Sequence, residues 1–140
     1  MLVEMIMRRH VVSIDHDSTV LKACMKFKQY KIGCLVVKNE KKNCVGILTE
    51  RDVIERAICA LKYPETTLIK EIMSSDVKTI HPLEKVDEAI RIMREFHIKK
   101  LPVIQGKSIV GIVTITDISY AKPEMAKEFM DTYVMPRWVD

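Results

Sequence analysis

Two stretches of the chain carry the same pattern: residues 46–52 are GILTERD, and residues 111–117 are GIVTITD. Each stretch has a glycine, two aliphatic residues, a threonine, two variable residues and an aspartate. Neither a helix nor a strand requires such a pattern, so its recurrence indicates that a larger segment has been duplicated.

The duplication covers most of the chain. Apolar residues recur at an offset of 66 residues in the first part of each copy, as from Val20 to Val86, and at 65 residues later, as from Gly46 to Gly111. The single missing residue falls where KNEKKN in the first copy faces QGKS in the second, and an exposed turn tolerates such a change. We place the first copy at residues 1–61, the second at 62–122 and a helical tail at 123–140.

The hydrophobic pattern predicts the same elements in both copies. An opening strand precedes a segment of helical spacing, two short apolar runs then form a hairpin, and a second helix begins near the aspartate. In the first copy, the helical faces are expected from Val20, Ala23, Cys24 and Phe27, and then from Ile54, Ala57, Ile58 and Leu61. The predicted fold class is α/β (α+β), with two tandem β-α-β-β-α repeats, and Pro123 can start a further helix in the tail.

The composition is that of a globular protein. Hydrophobic residues make up 48% of the 140 residues and charged residues 30%, and the four cysteines form no C-x-x-C pair. No apolar run approaches the roughly 18 residues of a membrane span. We therefore expect a cytoplasmic protein with reduced thiols and no membrane association. The net charge of +4 is spread among acidic neighbours, which does not favour a nucleic-acid partner.

The repeated T-x-x-D element has two interpretations. Thr49 with Asp52, and Thr114 with Asp117, have the spacing of a helix capping box. The same residue types can also bind a nucleotide, because a carboxylate accepts hydrogen bonds from ribose hydroxyls and a threonine hydroxyl can contact an anion. Glycine within the preceding strand permits another backbone to approach closely.

The duplicated unit and its ending resemble the paired cystathionine-beta-synthase (CBS) domain family over roughly residues 1–121. The specific marks are VSIDHDSTVLKA with KTIHPLEKVDEA, IGCLVV with IKKLPVI, VGILTERD with IVGIVTITD, and KEIM before the second copy. The resemblance implies a regulatory binding module and not an enzyme. It also implies that the two copies within one chain pack as one pseudo-twofold module, with clefts for adenosine-containing ligands such as AMP, ADP, ATP or S-adenosylmethionine. Two chains are expected to associate as a homodimer.

The resemblance also implies which residues contact the ligand. The aspartates that hold the ribose fall on Asp52 and Asp117, and adenine contacts are expected near residues 7–12 and 73–79. The other implied ligand-binding residues are Thr49, Arg51, Lys99, Lys100, Thr114, Thr116, Val12, Ile32, Gly33, Val77, Thr79 and Ile98.

The two copies differ at the positions of the lysine pair. Gly33 and Cys34 stand in the first copy where Lys99 and Lys100 stand in the second. The clefts are therefore predicted to be chemically unequal, with the tighter phosphate-bearing site at Asp117.

Other kinds of site find little support in the residue pattern. The four histidines lack metal-ligand spacing, and no pairing of a nucleophile with a base is visible, so we expect neither a metal ion, nor a cofactor, nor catalysis. Two other functions stay open: a structural dimerisation module with degenerate pockets, and a nucleic-acid-binding module. A regulated protein partner is compatible with the pattern, but the sequence does not identify one.

Overall fold

The computed structural model describes residues 1–133. Met135, Trp138 and Val139, three apolar residues near the end of the predicted tail, lie outside the described residues. The chain divides into two compact units, which do not coincide with the two sequence copies. The continuous unit is Val11–Val77, and the split unit combines Met1–His10 with the chain from Lys78 onward.

The continuous unit contains a three-stranded sheet. Its strands are β1 (Ser13–Asp15), β2 (Cys34–Lys38) and β3 (Cys44–Thr49), with β1 parallel and β3 antiparallel to the central β2. Its helices are α1 (Val20–Tyr30), α2 (Glu50–Val53), which continues in wider π-helical turns over Ile54–Ile58, and α3 (Ile69–Ile72).

Local signals set the ends of α1. The Thr19 hydroxyl accepts a hydrogen bond from the Lys22 amide at 3.3 Å, which satisfies one of the free N–H groups of the first turn. The helix ends at Lys31, whose φ of 54° lies in the left-handed region. The buried face of α1, with Val20 and Ala23, packs on the sheet in a core formed by Ile14, Val20, Ala23, Leu35, Val37, Leu48, Val53, Ala57, Ile69 and Ile72.

The second helix of the continuous unit buries a different face from the one that the spacing predicted. Ala57 is buried together with Val53, but Ile54 and Ile58 are 56% and 53% exposed. Leu61 lies beyond the helix with a φ of 60°. The π-helical turns add residues per turn, so the 3.6-residue periodicity does not apply across this segment.

The split unit repeats the same order of elements. A 3₁₀ turn at Val3–Met5 comes from the start of the chain, followed after residue 78 by α4 (Val86–Phe96), β4 (Lys100–Gln105), β5 (Ser108–Thr114) and α5 (Ile115–Ala121). Strands β4 and β5 form an antiparallel hairpin. The predicted helix after Pro123 is present as α6 (Pro123–Tyr133), and it buries Ala126 and Phe129. The mixed fold class and the duplicated unit are thus confirmed.

The opening strand of the second copy is reduced to a single bridge. Ile80 donates to the Pro102 carbonyl at 3.1 Å and accepts from the Ile104 amide at 2.9 Å. In the first copy the Val36 and His16 amides extend the equivalent pairing. Pro102 and Pro82 stand at those two positions, and proline has no N–H to donate. The pairing therefore cannot extend beyond Ile80 through these two amides.

A leading segment crosses each hairpin beside the glycine of the repeated motif. Met7 and Arg8 lie against β5, with reciprocal backbone hydrogen bonds of 2.8 and 2.9 Å between Arg8 and Ile112. Met73 and Ser74 lie against β3 in the same way, with two bonds of 2.9 Å between Ser74 and Ile47. Each segment therefore belongs to the unit formed by the other sequence copy.

The glycines confirm the predicted close approach. A Cβ atom on Gly46 would lie 2.9 Å from the Ser74 carbonyl oxygen, and one on Gly111 would lie 2.9 Å from that of Arg8. Both distances are shorter than real Cβ contacts allow, so glycine is required for the segments to pack. Among the described residues, no helix has the length and apolar character needed to cross a membrane.

Candidate functional site

Both T-x-x-D elements form reciprocal helix caps. In the continuous unit, the Asp52 amide donates to Thr49 Oγ1 at 3.1 Å, and the Thr49 amide donates to Asp52 Oδ2 at 2.9 Å. In the split unit, the Asp117 amide donates to Thr114 Oγ1 at 3.1 Å, and the Thr114 amide donates to Asp117 Oδ2 at 3.0 Å. The capping function is confirmed in both copies. Each cap uses only one carboxylate oxygen of its aspartate for the backbone, which leaves the other oxygen for a second role.

The second oxygen of Asp52 lies near one arginine among the described residues but is not hydrogen-bonded to it. Arg56 Nε lies 3.9 Å from Asp52 Oδ1, beyond hydrogen-bond range, while Arg56 Nη1 donates to the carbonyls of Ile72 and Met73 at 3.2 and 3.3 Å. The Asp52 residue is 8% exposed. Its Oδ1 atom therefore keeps capacity to accept hydrogen bonds from a ligand.

The second oxygen of Asp117 is bound by an arginine from the start of the chain. Arg8 Nε donates to Asp117 Oδ1 at 2.9 Å, and the Thr114 hydroxyl adds a second bond to Oδ2, also at 2.9 Å. The two aspartates, equivalent in sequence, thus differ in their partners. Arg8 lies within the region 7–12 that was assigned to adenine, but no individual role was predicted for it.

The lysine positions lie next to the cap in the split unit. The Lys99 carbonyl accepts from the Ile115 amide at 2.9 Å, and Lys100 is the cross-strand partner of Thr114. In the continuous unit the equivalent carbonyl is that of Gly33, which accepts from Glu50 at 3.1 Å, and Cys34 pairs with Thr49. The structure therefore brings Lys99 and Lys100 to the Thr114–Asp117 cap, whereas an uncharged pair, Gly33 and Cys34, lies at the Thr49–Asp52 cap.

Two further predicted site residues lie on the exposed side of these helix starts. Arg51 is exposed and lies 3.9 Å from Glu55, measured from Nε to Oε1. Thr116 is exposed, and its carbonyl accepts from the Ser119 hydroxyl at 2.6 Å. Neither side chain is fixed by burial, so both can reorient towards a ligand.

The apolar residues predicted to contact adenine are divided between the two units. Val12 and Ile32 pack against the core of the continuous unit, and Ile98 packs against the core of the split unit. Val77 is partly buried at the end of the continuous unit, while Thr79 is exposed in the split unit. These three core contacts give Val12, Ile32 and Ile98 a structural role beside the predicted one.

An open depression of about 500 Å³ lies on the continuous unit beside the Thr49–Asp52 cap. Two predicted site residues, Ile32 and Gly33, line it together with Glu50, but Asp52 does not. The other lining residues come from the two helices and their flanks: Cys24, Phe27, Lys28, Lys31, Val53 and Ile54.

One cluster has the residue types of a metal site. His16 Nε2 lies 3.3 Å from Asp17 Oδ2 and 3.2 Å from Glu40 Oε2, a grouping that the spacing of the histidines did not reveal. Lys70 donates to Asp17 Oδ1 at 2.8 Å, and this hydrogen bond lowers the pKa of the Asp17 carboxyl. The Lys70 ammonium thus already supplies a positive charge to one of the three groups.

The surroundings of two of the four cysteines disfavour reactivity. Burial raises the pKa of the Cys24 and Cys44 thiols, which disfavours the reactive thiolate. No disulfide is formed by the four residues, Cys24, Cys34, Cys44 and Cys59.

Comparison with known proteins identifies both copies. The family model described as CBS domain matches residues 3–58 and 69–124. An uncharacterized protein of Methanopyrus kandleri is 32% identical over 117 residues, which cover 83% of this chain and 60% of that protein. The chain therefore spans less than two thirds of that relative's length.

Two solved structures share the fold. A conserved CBS domain protein of unknown function from Thermoplasma acidophilum superposes with a TM-score of 0.84 and 27% identity, covering 96% of this chain and 77% of that one. The CBS domain pair of protein MJ0100 superposes with a TM-score of 0.77 and 30% identity, covering 86% of this chain and 98% of that one. The latter was crystallised in complex with 5′-methylthioadenosine and S-adenosyl-L-methionine.

Proposed function

Because this chain belongs to the CBS domain family, we propose that it is a regulatory module that binds adenosine-containing ligands at Asp52 and Asp117. The observation that carries the proposal is the pair of capped aspartates, each holding one carboxylate oxygen on its helix cap and directing the other elsewhere. The MJ0100 complex supports the ligand class, since its two ligands both contain adenosine.

The chemistry of recognition follows from the caps. A carboxylate fixed by backbone hydrogen bonds has little freedom left to lose on binding, so ribose hydroxyls that donate to it encounter a preorganised acceptor. Hydrogen bonds to a charged group contribute about 1.5–3 kcal/mol each. Asp52 offers Oδ1 as the acceptor. Asp117 also offers Oδ1, but this atom already accepts one hydrogen bond from Arg8 and has only its remaining acceptor capacity for a ligand.

We place the tighter phosphate-bearing site at Asp117. Lys99 and Lys100 stand beside that cap, whereas Gly33 and Cys34 stand beside the cap of Asp52. A phosphate carries up to two negative charges, so the basic positions favour AMP, ADP or ATP at Asp117 over a ligand without phosphate. The bound state would then be passed to a protein partner or to a second copy of the chain.

The proposal assigns binding without turnover. No paired nucleophile and base lies at either cap among the described residues, so bound ATP is expected to be released unchanged. Incubation with ATP followed by nucleotide chromatography tests this expectation. Protein-dependent formation of ADP or AMP would contradict it.

The decisive experiment measures ligand binding at each aspartate. Mass spectrometry of small molecules released from the purified protein identifies the ligand, and a thermal-shift panel of AMP, ADP, ATP, adenosine and S-adenosylmethionine ranks the candidates. A ligand present at 100 times its dissociation constant stabilises the folded state by about 2.7 kcal/mol, which such a panel detects.

Calorimetry of Asp117→Asn and Asp52→Asn then assigns the sites, since asparagine keeps an oxygen for the cap but loses the charge. We expect Asp117→Asn to raise the dissociation constant of the tighter AMP site by at least about tenfold, while Asp52→Asn leaves that site unchanged. If no ligand stabilises the wild-type protein, the proposal fails, and the T-x-x-D elements are helix caps alone.

A further inference from the structure

Arg8 is held in a fixed position beside the Asp117 cap. Its backbone exchanges hydrogen bonds with Ile112 of β5, and the preceding residue, Met7, is buried. The absence of a side chain at Gly111 allows this close contact. The base of the Arg8 side chain is therefore anchored on the same strand that ends at Thr114.

The guanidinium of Arg8 hydrogen-bonds to the described part of the protein through its Nε atom. Its Nε atom donates to Asp117 Oδ1, and the Arg8 side chain is 61% exposed although that of Asp117 is only 9% exposed. A guanidinium has five N–H donors in a rigid fork. Within residues 1–133, the structure records no hydrogen bond from the two terminal nitrogens of Arg8, so this part of the fork faces solvent.

The arrangement has no equivalent at the other cap. The position that corresponds to Arg8 is Ser74, which places no cation on Asp52. The cation near Asp52 is Arg56, at 3.9 Å, and the corresponding position in the split unit is Ala121. Within the described part of the chain, Asp117 therefore has an arginine directly hydrogen-bonded to its second oxygen, and Asp52 does not.

We propose that Arg8 determines specificity at the Asp117 site by favouring adenosine ligands that carry a phosphate over neutral and cationic ones. The inference rests on the proposed function and names the ligand class of one of its two sites. A phosphate accepts hydrogen bonds from the exposed fork of Arg8 while the Nε atom stays on Asp117. A neutral nucleoside has no such acceptor and has to share Asp117 Oδ1 with the guanidinium.

The charge of the ligand decides the sign of this effect. Asp117 alone would attract a cationic ligand such as S-adenosylmethionine, but the adjacent guanidinium cancels that attraction. For AMP the same guanidinium adds an attraction that Asp117 does not supply. Removing Arg8 should therefore weaken AMP binding and leave adenosine binding unchanged or stronger.

The test compares Arg8→Gln with a matched control, Arg91→Gln. Arg91 is an exposed arginine of the same unit, and its guanidinium donates to Glu88 and Glu95 of α4 rather than to either cap. Both variants are made in the Asp52→Asn background, so that calorimetry reports the Asp117 site. AMP, adenosine and S-adenosylmethionine are titrated into each protein at the same ionic strength.

We expect Arg8→Gln to weaken AMP binding at least about tenfold, equivalent to about 1.4 kcal/mol, and to change adenosine binding less than about threefold. The Arg91→Gln control should keep the AMP-to-adenosine preference of the parent protein. Arg8→Lys, which keeps the charge but not the fork, should lie between the parent and Arg8→Gln.

The outcomes separate the inference from the function on which it rests. If the wild-type protein binds none of the three compounds, the proposed function fails. If AMP binds but Arg8→Gln keeps the parent's AMP-to-adenosine preference, the role of Arg8 is refuted and the proposed function stands. Thermal melts verify that each variant is folded. If Arg8→Gln is unfolded, Arg8→Lys decides: parental preference in that variant refutes a role for the fork.

Discussion

Replacing Gly111 by alanine should destabilise the protein, because the leading segment occupies the space that the new methyl group needs. The added Cβ would lie 2.9 Å from the Arg8 carbonyl oxygen and 2.7 Å from Met7 Sδ. The methionine side chain can rotate away, but the carbonyl is fixed by two backbone hydrogen bonds between Arg8 and Ile112. The clash with the carbonyl therefore decides the result.

The loss of folding free energy in Gly111→Ala is similar whether the segment stays in place or moves away. If the segment stays in place, overpacking costs about 1–3 kcal/mol. If the segment moves away, the two hydrogen bonds are lost at about 1 kcal/mol each. Alanine also restricts the unfolded chain and returns about 0.5 kcal/mol. The net loss is about 1.5 kcal/mol, which lowers the melting temperature by about 5 °C for a protein of this size.

Urea unfolding followed by circular dichroism measures the change, with Gly33→Ala as the control. A Cβ on Gly33 would lie 2.5 Å from Glu50 Oε1, the end of an exposed side chain that can swing aside. We expect that variant to remain within about 0.5 kcal/mol of the wild type. Wild-type stability of Gly111→Ala would show that the segment does not pack against β5, and the placement of Arg8 would fall with it.

The remaining predictions concern acid and assembly. Since Lys70 lowers the pKa of Asp17, this pair stabilises the folded state above about pH 4 and ceases to do so as the pH falls through the lowered pKa. In urea unfolding at a series of pH values, Asp17→Asn should be less stable than the wild type at neutral pH and equal to it in acid; a constant difference would contradict the assignment. We also expect a homodimer, because Met25, Ile54 and Ile58 are more than half exposed. Light scattering should give twice 16.2 kDa for the wild type and a smaller mass for Ile54→Lys, whereas a monomeric wild type would refute this expectation.

The caps and the glycines could be predicted from sequence because both are local requirements that appear twice. A threonine three residues before an aspartate can satisfy the first turn of a helix without any distant partner, and Thr49 and Thr114 both do so. Glycine in a strand next to this element indicated a close approach, and both glycines have one. The duplication made each signal stronger than a single occurrence would have been.

The partner of Asp117 could not be predicted in this way. Arg8 and Asp117 are 109 residues apart, and the pairing depends on which hairpin the leading segment crosses. The first copy gives no guide, because Ser74 occupies the corresponding position. The sequence contained the arginine, but only the three-dimensional arrangement shows that it reaches the carboxylate.

Two irregularities of the fold could not be predicted from the hydrophobic periodicity, each for a different reason. The opening strand of the second copy was expected from the apolar pattern, yet Pro82 and Pro102 remove the amides that would extend it. The helix after Asp52 was expected, but its π-helical turns leave Ile54 and Ile58 exposed. Hydrophobic spacing reports neither missing amide donors nor a change in residues per turn.

The division into a continuous and a split unit also has a consequence for synthesis on the ribosome. The core of the continuous unit is complete once Val77 has been made, but the Arg8 backbone cannot pair with Ile112 until β5 emerges roughly a hundred residues later. At about 5–20 residues per second, this delay lasts several seconds or more. Residues 3–8 are thus translated well before the strand against which they pack, so a bulky group attached to this stretch would hinder the later of the two units to fold.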